Sequence, residues 1–102
     1  MIFRASLAEI DEEYHRTAAR MRELALSKYG CMDFVSLTEN NQELSISYWN
    51  DEAQIVKWKN DSKHVMAQEA GRNKWYRAYR VEVVKVVRDY GGSRTLSDSG
   101  SD

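Results

Sequence analysis

The chain has no proline and a single cysteine, Cys31, among its 102 residues. One cysteine excludes an intramolecular disulfide and suits a reducing compartment. Cys31 itself reads as a small apolar residue at a strand start. The two histidines, His15 and His64, lie 49 residues apart, and no paired His or Cys spacing accompanies them. No metal site is therefore expected. Glycine is scarce, and Gly91-Gly92 precedes no helical pattern, which excludes a glycine-rich phosphate loop. No apolar run approaches membrane-spanning length. Met1-Ile2-Phe3-Arg4 lacks a signal-peptide pattern. The expected location is the cytoplasm, with no membrane partner. Charges almost cancel, with a formal net charge of -1. A nucleic-acid footprint needs a clustered basic excess, so no nucleic-acid partner is expected. Internal repeats are also absent.

What is present fits one small domain with a thin core reinforced by aromatics. The domain is expected over residues 1–90. From Gly91 to Asp102 the chain turns to Gly, Ser and Asp, the composition of a disordered C-terminal tail.

Residues 2–5 read as a short first strand. Ser6 with Glu9 makes a capping-box pattern. Leu7, Ile10, Tyr14, Ala18, Met21 and Ala25 then recur at helical spacing, which predicts an amphipathic helix ending at Gly30. Residues 31–39 favour a strand, Asn40-Asn41 is a turn signal, and residues 43–49 form the second arm of a β-hairpin. On that arm Leu44, Ile46 and Tyr48 share one face, and Ser45, Ser47 and Trp49 the other. Asn50-Asp51 offers an N-cap for a helix over about 52–60. Asp61-Ser62 offers a second cap for a helix from about 63 to the early 70s, with Gly71 as a stop. The valine-rich run within residues 77–90 predicts a closing strand.

The order β-α-β-β-α-α-β predicts an α+β fold, a ferredoxin-like antiparallel sheet with helices on one face. Met32, Phe34, Trp49 and one parity of the valines make the second sheet face look apolar as well. Soluble monomers avoid such an exposed patch. A homodimer packed sheet on sheet is the expected resolution.

The stretch from Leu44 to Tyr90 carries a resemblance. It has a strand ending in Tyr48-Trp49, then Asp51-Glu52-Ala53, Trp58, Lys59-Asn60, His64, Gln68, Gly71-Arg72, Trp75, Tyr79 and Arg88-Asp89-Tyr90. This pattern resembles the antibiotic-biosynthesis-monooxygenase (ABM) family over about half the chain. The resemblance implies a dimeric α+β barrel. It also implies one of two chemistries: cofactor-free oxidation of aromatic polyketides or quinols by molecular oxygen, or binding and degradation of haem. The haem-degrading members have an Asn on the first strand, a Trp on the helix after the hairpin and a His ten residues later. Trp58 matches the Trp, but Gln68 stands where the His would be, and the first strand offers Phe3, Arg4 and Ala5. His64 lies one turn earlier, displaced by about 6 Å. The quinol-oxidising members have an Asn and a Trp near the end of the strand after the turn, and a Tyr on the next helix. Trp49 matches that Trp, with Ser45 and Ile55 in place of the other two.

The resemblance therefore implies a monooxygenase acting on a small aromatic with molecular oxygen and no cofactor. His64 is the candidate catalytic base, able to remove a phenolic proton near neutral pH. Trp49, Trp58, Ser45 and Gln68 are the candidate substrate contacts. Each has a simpler reading: Trp49 and Trp58 as core, and His64 as a residue in the first turn of an exposed helix. The rival function is a non-catalytic module binding a small ligand or haem, or a haem-degrading enzyme, on the same scaffold.

Overall fold

The computed structural model describes residues 1–68 and 75–94, and side chains for residues 1–62 and 75–94. The elements run β1 (Ile2–Leu7), α1 (Glu12–Lys28), β2 (Asp33–Glu39), β3 (Gln42–Tyr48), α2 (Glu52–Gln68) and β4 (Tyr76–Glu82). The strands form one four-stranded sheet in the order β2-β3-β1-β4. Every pairing is antiparallel. The architecture is the ferredoxin-like α+β fold.

Local chemistry places the turns as expected. Asn40 and Asn41 have φ of 51° and 62°. Two consecutive left-handed residues make a type I′ turn, whose twist matches the strands it joins. The flanking residues Glu39 and Gln42 pair directly. Gly30, at φ 79°, follows the Tyr29 C-cap of α1. The amide of Cys31 returns to the carbonyl of Ala25 at 3.0 Å, satisfying one of the helix's last acceptors. Asp51 Oδ1 accepts from the Gln54 amide at 3.0 Å and caps α2.

Other local signals lose to tertiary pairing. The capping box at Ser6 and Glu9 does not start α1. Ser6 is a strand residue paired with Gln42 on one side and Ala78 on the other. Asp11 is the N-cap instead, accepting from the Tyr14 amide at 2.9 Å. Asp61 and Ser62 do not split the second helical stretch, because α2 is continuous through them to Gln68. Asp61 is committed elsewhere: Tyr29 Oη donates to its carboxylate at 2.8 Å and Lys28 lies 3.8 Å away. Gly71 and the remainder of the expected third helix lie outside the described residues, as does the tail from residue 95. The closing strand stops at Glu82, well short of residue 90. Val83, Val84, Val86 and Val87 run past the sheet and are exposed, so their β-branched character finds no partner strand among the described residues.

The helices cover one sheet face. Two clusters build the core beneath them. Ala5, Leu7, Tyr14 and Trp75 form the first, joined by Phe3, Ile10 and Tyr76. Ala25, Cys31, Phe34 and Trp58 form the second, joined by Met1, Met21, Leu24, Tyr29 and Trp49. Trp75 and Leu7 are the most completely buried large side chains, and burial of each contributes about 1.5–3 kcal/mol. Phe34 and Trp49, expected on the second face, belong to this helix-side core. The open face is nevertheless apolar, with Val35, Leu37, Leu44 and Tyr48 exposed on β2 and β3. No helix among the described residues is long and apolar enough to cross a membrane.

Candidate functional site

Between the two core clusters the helices stand off the sheet and leave a cavity of ≈ 680 Å³. Its floor is the helix-facing side of the sheet: Phe3 from β1, Phe34 and Ser36 from β2, Glu43 and Ser45 from β3, and Tyr76, Tyr79 and Val81 from β4. Registry explains the grouping. Phe3 pairs with Ser45 and Val81, and Ser36 pairs with Ser45, so alternate residues of neighbouring strands converge on one face. The roof comes from α1 through Ala18 and Met21, and from α2 through Trp58, Lys59 and Ser62. Ser62 lies four residues after Trp58 and three after Lys59, which sets it beside both on the helix.

Trp58 is the keystone of the roof. Its indole N–H donates to the Met21 carbonyl at 2.8 Å, tying α2 to α1. Phe34 meets it edge-on at 6.0 Å, and Trp49 lies 5.5 Å from it on a tilted plane. Trp49 does not line the cavity. Its N–H donates to Ser47 Oγ at 2.8 Å, and it backs Trp58 from outside. On the far side Phe3 packs edge-on against Tyr76 at 5.7 Å. The cavity is thus flanked by aromatic rings on two sides, a shape suited to a flat apolar molecule.

The polar floor is a hydrogen-bonded row. Ser36 Oγ lies 2.8 Å from Ser45 Oγ, and Ser45 Oγ donates to Glu43 Oε2 at 3.3 Å. A hydroxyl has one proton, so Ser36 supplies the first bond and Ser45 the second. The row ends on a carboxyl. Burial pushes the Glu43 acid above its ordinary range, and the Ser45 bond offsets part of that rise. Burial raises the Tyr76 phenol strongly, and the charge of Glu43 raises it further. A carboxyl so placed holds a proton more tightly than a solvated one and lines the cavity.

Of the residues singled out from sequence, Ser45 and Trp58 line the cavity and Trp49 supports it. His64 and Gln68 fall on the α2 backbone, and their side chains lie outside the described residues. Glu43, Ser36, Phe34 and Tyr76 were not legible as site residues. For Glu43 the signal was available: it shares strand parity with Ser45 and Ser47, the polar residues that turned out to face the helices. Cys31 behaves as expected of a buried apolar residue. Burial raises its thiol, which donates to the Asp33 carbonyl at 3.2 Å. Among the described residues no group of three His, Cys, Asp or Glu is placed to hold a metal.

No family model matches the chain, and no solved structure matches it. It is 38% identical over 54 residues to the jasmonate monooxygenase ABM of Pyricularia oryzae, an alignment covering 53% of this chain and 25% of the fungal protein. It is 36% identical over 89 residues to the uncharacterized protein YqjZ of Bacillus subtilis, covering 86% of this chain and 78% of YqjZ. With that identity spread over most of both sequences, the chain belongs to the same family as YqjZ.

Proposed function

We propose that this protein is a monooxygenase of the ABM type that oxidises a small aromatic substrate with molecular oxygen in the cavity between sheet and helices. The observation that carries the reading is a half-buried carboxyl, Glu43, at the end of a serine row on the floor of an aromatic-walled cavity. The partial likeness to a protein named as a monooxygenase supports it.

In this reading a methylene activated by flanking aromatic rings loses a proton to the Glu43 carboxylate. The carbanion gives its electrons to oxygen, a C–O bond forms, and protonation yields a hydroperoxide. Loss of water then leaves a ketone. One oxygen atom ends in the ketone and the other in water, so the CH₂ carbon supplies all four electrons and no external reductant is needed. Ser45 Oγ, whose proton goes to Glu43, accepts from a substrate hydroxyl through its remaining lone pair. Trp58 and Phe34 contact the ring faces and exclude water. His64 is the rival base, carried on α2.

We also propose that the open face of the sheet pairs with that of a second copy. Val35, Leu37, Leu44 and Tyr48 give it the contiguous apolar character that soluble proteins cover.

Oxygen uptake with a panel of anthrones and hydroquinones tests the function. Wild type is expected to consume oxygen and Glu43→Gln to lose about 10²–10⁴-fold in rate, the usual worth of a positioned base. A loss confined to His64→Ala reassigns the base. No uptake with any member of the panel, with ligand binding intact, turns the reading to a non-catalytic binding module.

A further inference from the structure

Lys59 and Ser62 stand three residues apart on α2, and both line the cavity roof. That spacing puts them side by side on the helix. Ser62 is only 8% exposed, and its Oγ has no hydrogen-bond partner. A buried hydroxyl left unpaired is costly. Of the three unpaired buried atoms among the described residues, those of Tyr14, Ser62 and Trp75, only that of Ser62 belongs to a residue of the cavity wall, where a ligand can complete it. Lys59 is half-buried, and among the described residues no carboxylate forms an ion pair with it. Arg77 brings a second lining cation from β4. It too lacks an ion pair among the described residues, since the β4 arginine that has one is Arg80, with Glu82. The roof therefore presents the Lys59 ammonium and an unpaired hydroxyl, Arg77 adds a cation from the sheet, and the one carboxyl among the described lining residues, Glu43, lies on the floor.

We propose that Lys59 and Ser62 form an anion site and that the ligand of this cavity is a small ring compound bearing a carboxylate. The inference rests on the reading of this cavity as the substrate site and names the class of substrate. The carboxylate accepts from the Ser62 hydroxyl and from the Lys59 ammonium, both charge-assisted bonds. The ring body lies against Trp58 and Phe34, directed toward the carboxyl of Glu43. A neutral ligand leaves Lys59 desolvated without a counter-charge, and a cationic ligand is repelled. A lone ketone satisfies Ser62 but not Lys59.

The test is calorimetric titration of the full chain with 2-naphthoate and with its neutral methyl ester, under nitrogen. Neither probe has an activated methylene, so binding is read apart from oxidation. The acid is expected to bind about tenfold or more tightly than the ester, with the preference shrinking as salt rises. Lys59→Gln is expected to remove most of that preference, Ser62→Ala to weaken the acid more than the ester, and Lys59→Arg to keep the preference. Equal binding of acid and ester overturns the anion site, as does a preference that survives both variants or no binding of either probe. Oxygen uptake by wild type with anthrones, neutral and carboxylated, reports separately on the oxygenase reading. Selective binding without uptake leaves the anion site standing and removes the oxygenase. Uptake without selectivity does the reverse.

Discussion

The indole N–H of Trp58 donates to the main-chain carbonyl of Met21 at 2.8 Å, and this bond holds the two helices together over the cavity. Trp58→Phe keeps an aromatic ring but leaves the Met21 carbonyl with only its partner inside α1. The expected loss is about 0.5–1.5 kcal/mol of unfolding free energy by urea denaturation. Trp58→Ala, which also opens a cavity, is expected to cost about 3–5 kcal/mol. Both variants should weaken binding of ring compounds, the alanine variant more.

Glu43 makes stability depend on pH in a definite direction. Burial raises its folded-state pKa above that of the unfolded chain. Between the two values the folded state holds the proton more often, so the stabilisation is complete below the unfolded pKa and is lost as pH rises through the folded one. The melting temperature of wild type is expected to fall across that window relative to Glu43→Gln, which lacks the titration. Oxygen uptake, needing the carboxylate, should rise over the same window. A wild-type profile parallel to that of Glu43→Gln would show that packing does not raise the Glu43 acid.

Tyr76 reports on the same carboxylate. Its phenol is held above the ordinary range first by burial and then by the charge of Glu43. In an ultraviolet titration Tyr76 is expected to ionise after the exposed tyrosines, identified by the loss of the latest phase in Tyr76→Phe. Glu43→Gln should bring that phase to lower pH, because the repelling charge is gone while the burial remains.

Gly30 meets two separate constraints. Its φ of 79° disfavours a side chain, and an added Cβ would lie 2.7 Å from Gln54 Nε2. Gly30→Ala is expected to destabilise by about 1–2 kcal/mol from the backbone alone, measured by chemical denaturation. Any further loss from the contact with Gln54 should be recovered in the double variant with Gln54→Ala, while the backbone cost persists.

The open face of β2 and β3 predicts self-association. Leu37 is 68% exposed, and Leu44 flanks it directly across the ladder. Light scattering is expected to give a dimer mass for wild type and a monomer mass for Leu44→Lys, with unchanged circular dichroism. A monomeric wild type at micromolar concentration would sink the proposed sheet-on-sheet pairing.

The β2–β3 hairpin was readable because its determinants are local. Asn40 and Asn41 tolerate positive φ, and the period of two from Leu44 to Trp49 sorts side chains between faces whatever lies beyond. Parity did not disclose which residues of β2 lie on which side. Phe34 faces the helices, while Val35 and Leu37 form the open apolar face. The polar parity of β3 also mattered more than its apolar one, because Glu43 and Ser45 became the cavity floor.

Element type, the hairpin turn and the Gly30 stop follow from the amino-acid sequence alone, because backbone preference and hydrophobic period act over a few residues. Tertiary structure decided where α1 begins, where the closing strand ends and whether α2 breaks. Ser6 was drawn into strand pairing, the valines past Glu82 found no partner strand among the described residues, and Asp61 was engaged by Tyr29 and Lys28. It also decided the candidate site. A carboxyl acquires a raised pKa, and a serine becomes an unpaired buried hydroxyl, only when distant strands and helices remove the water around them. That desolvation is a property of the packed molecule, and no spacing of residues along the chain encodes it directly.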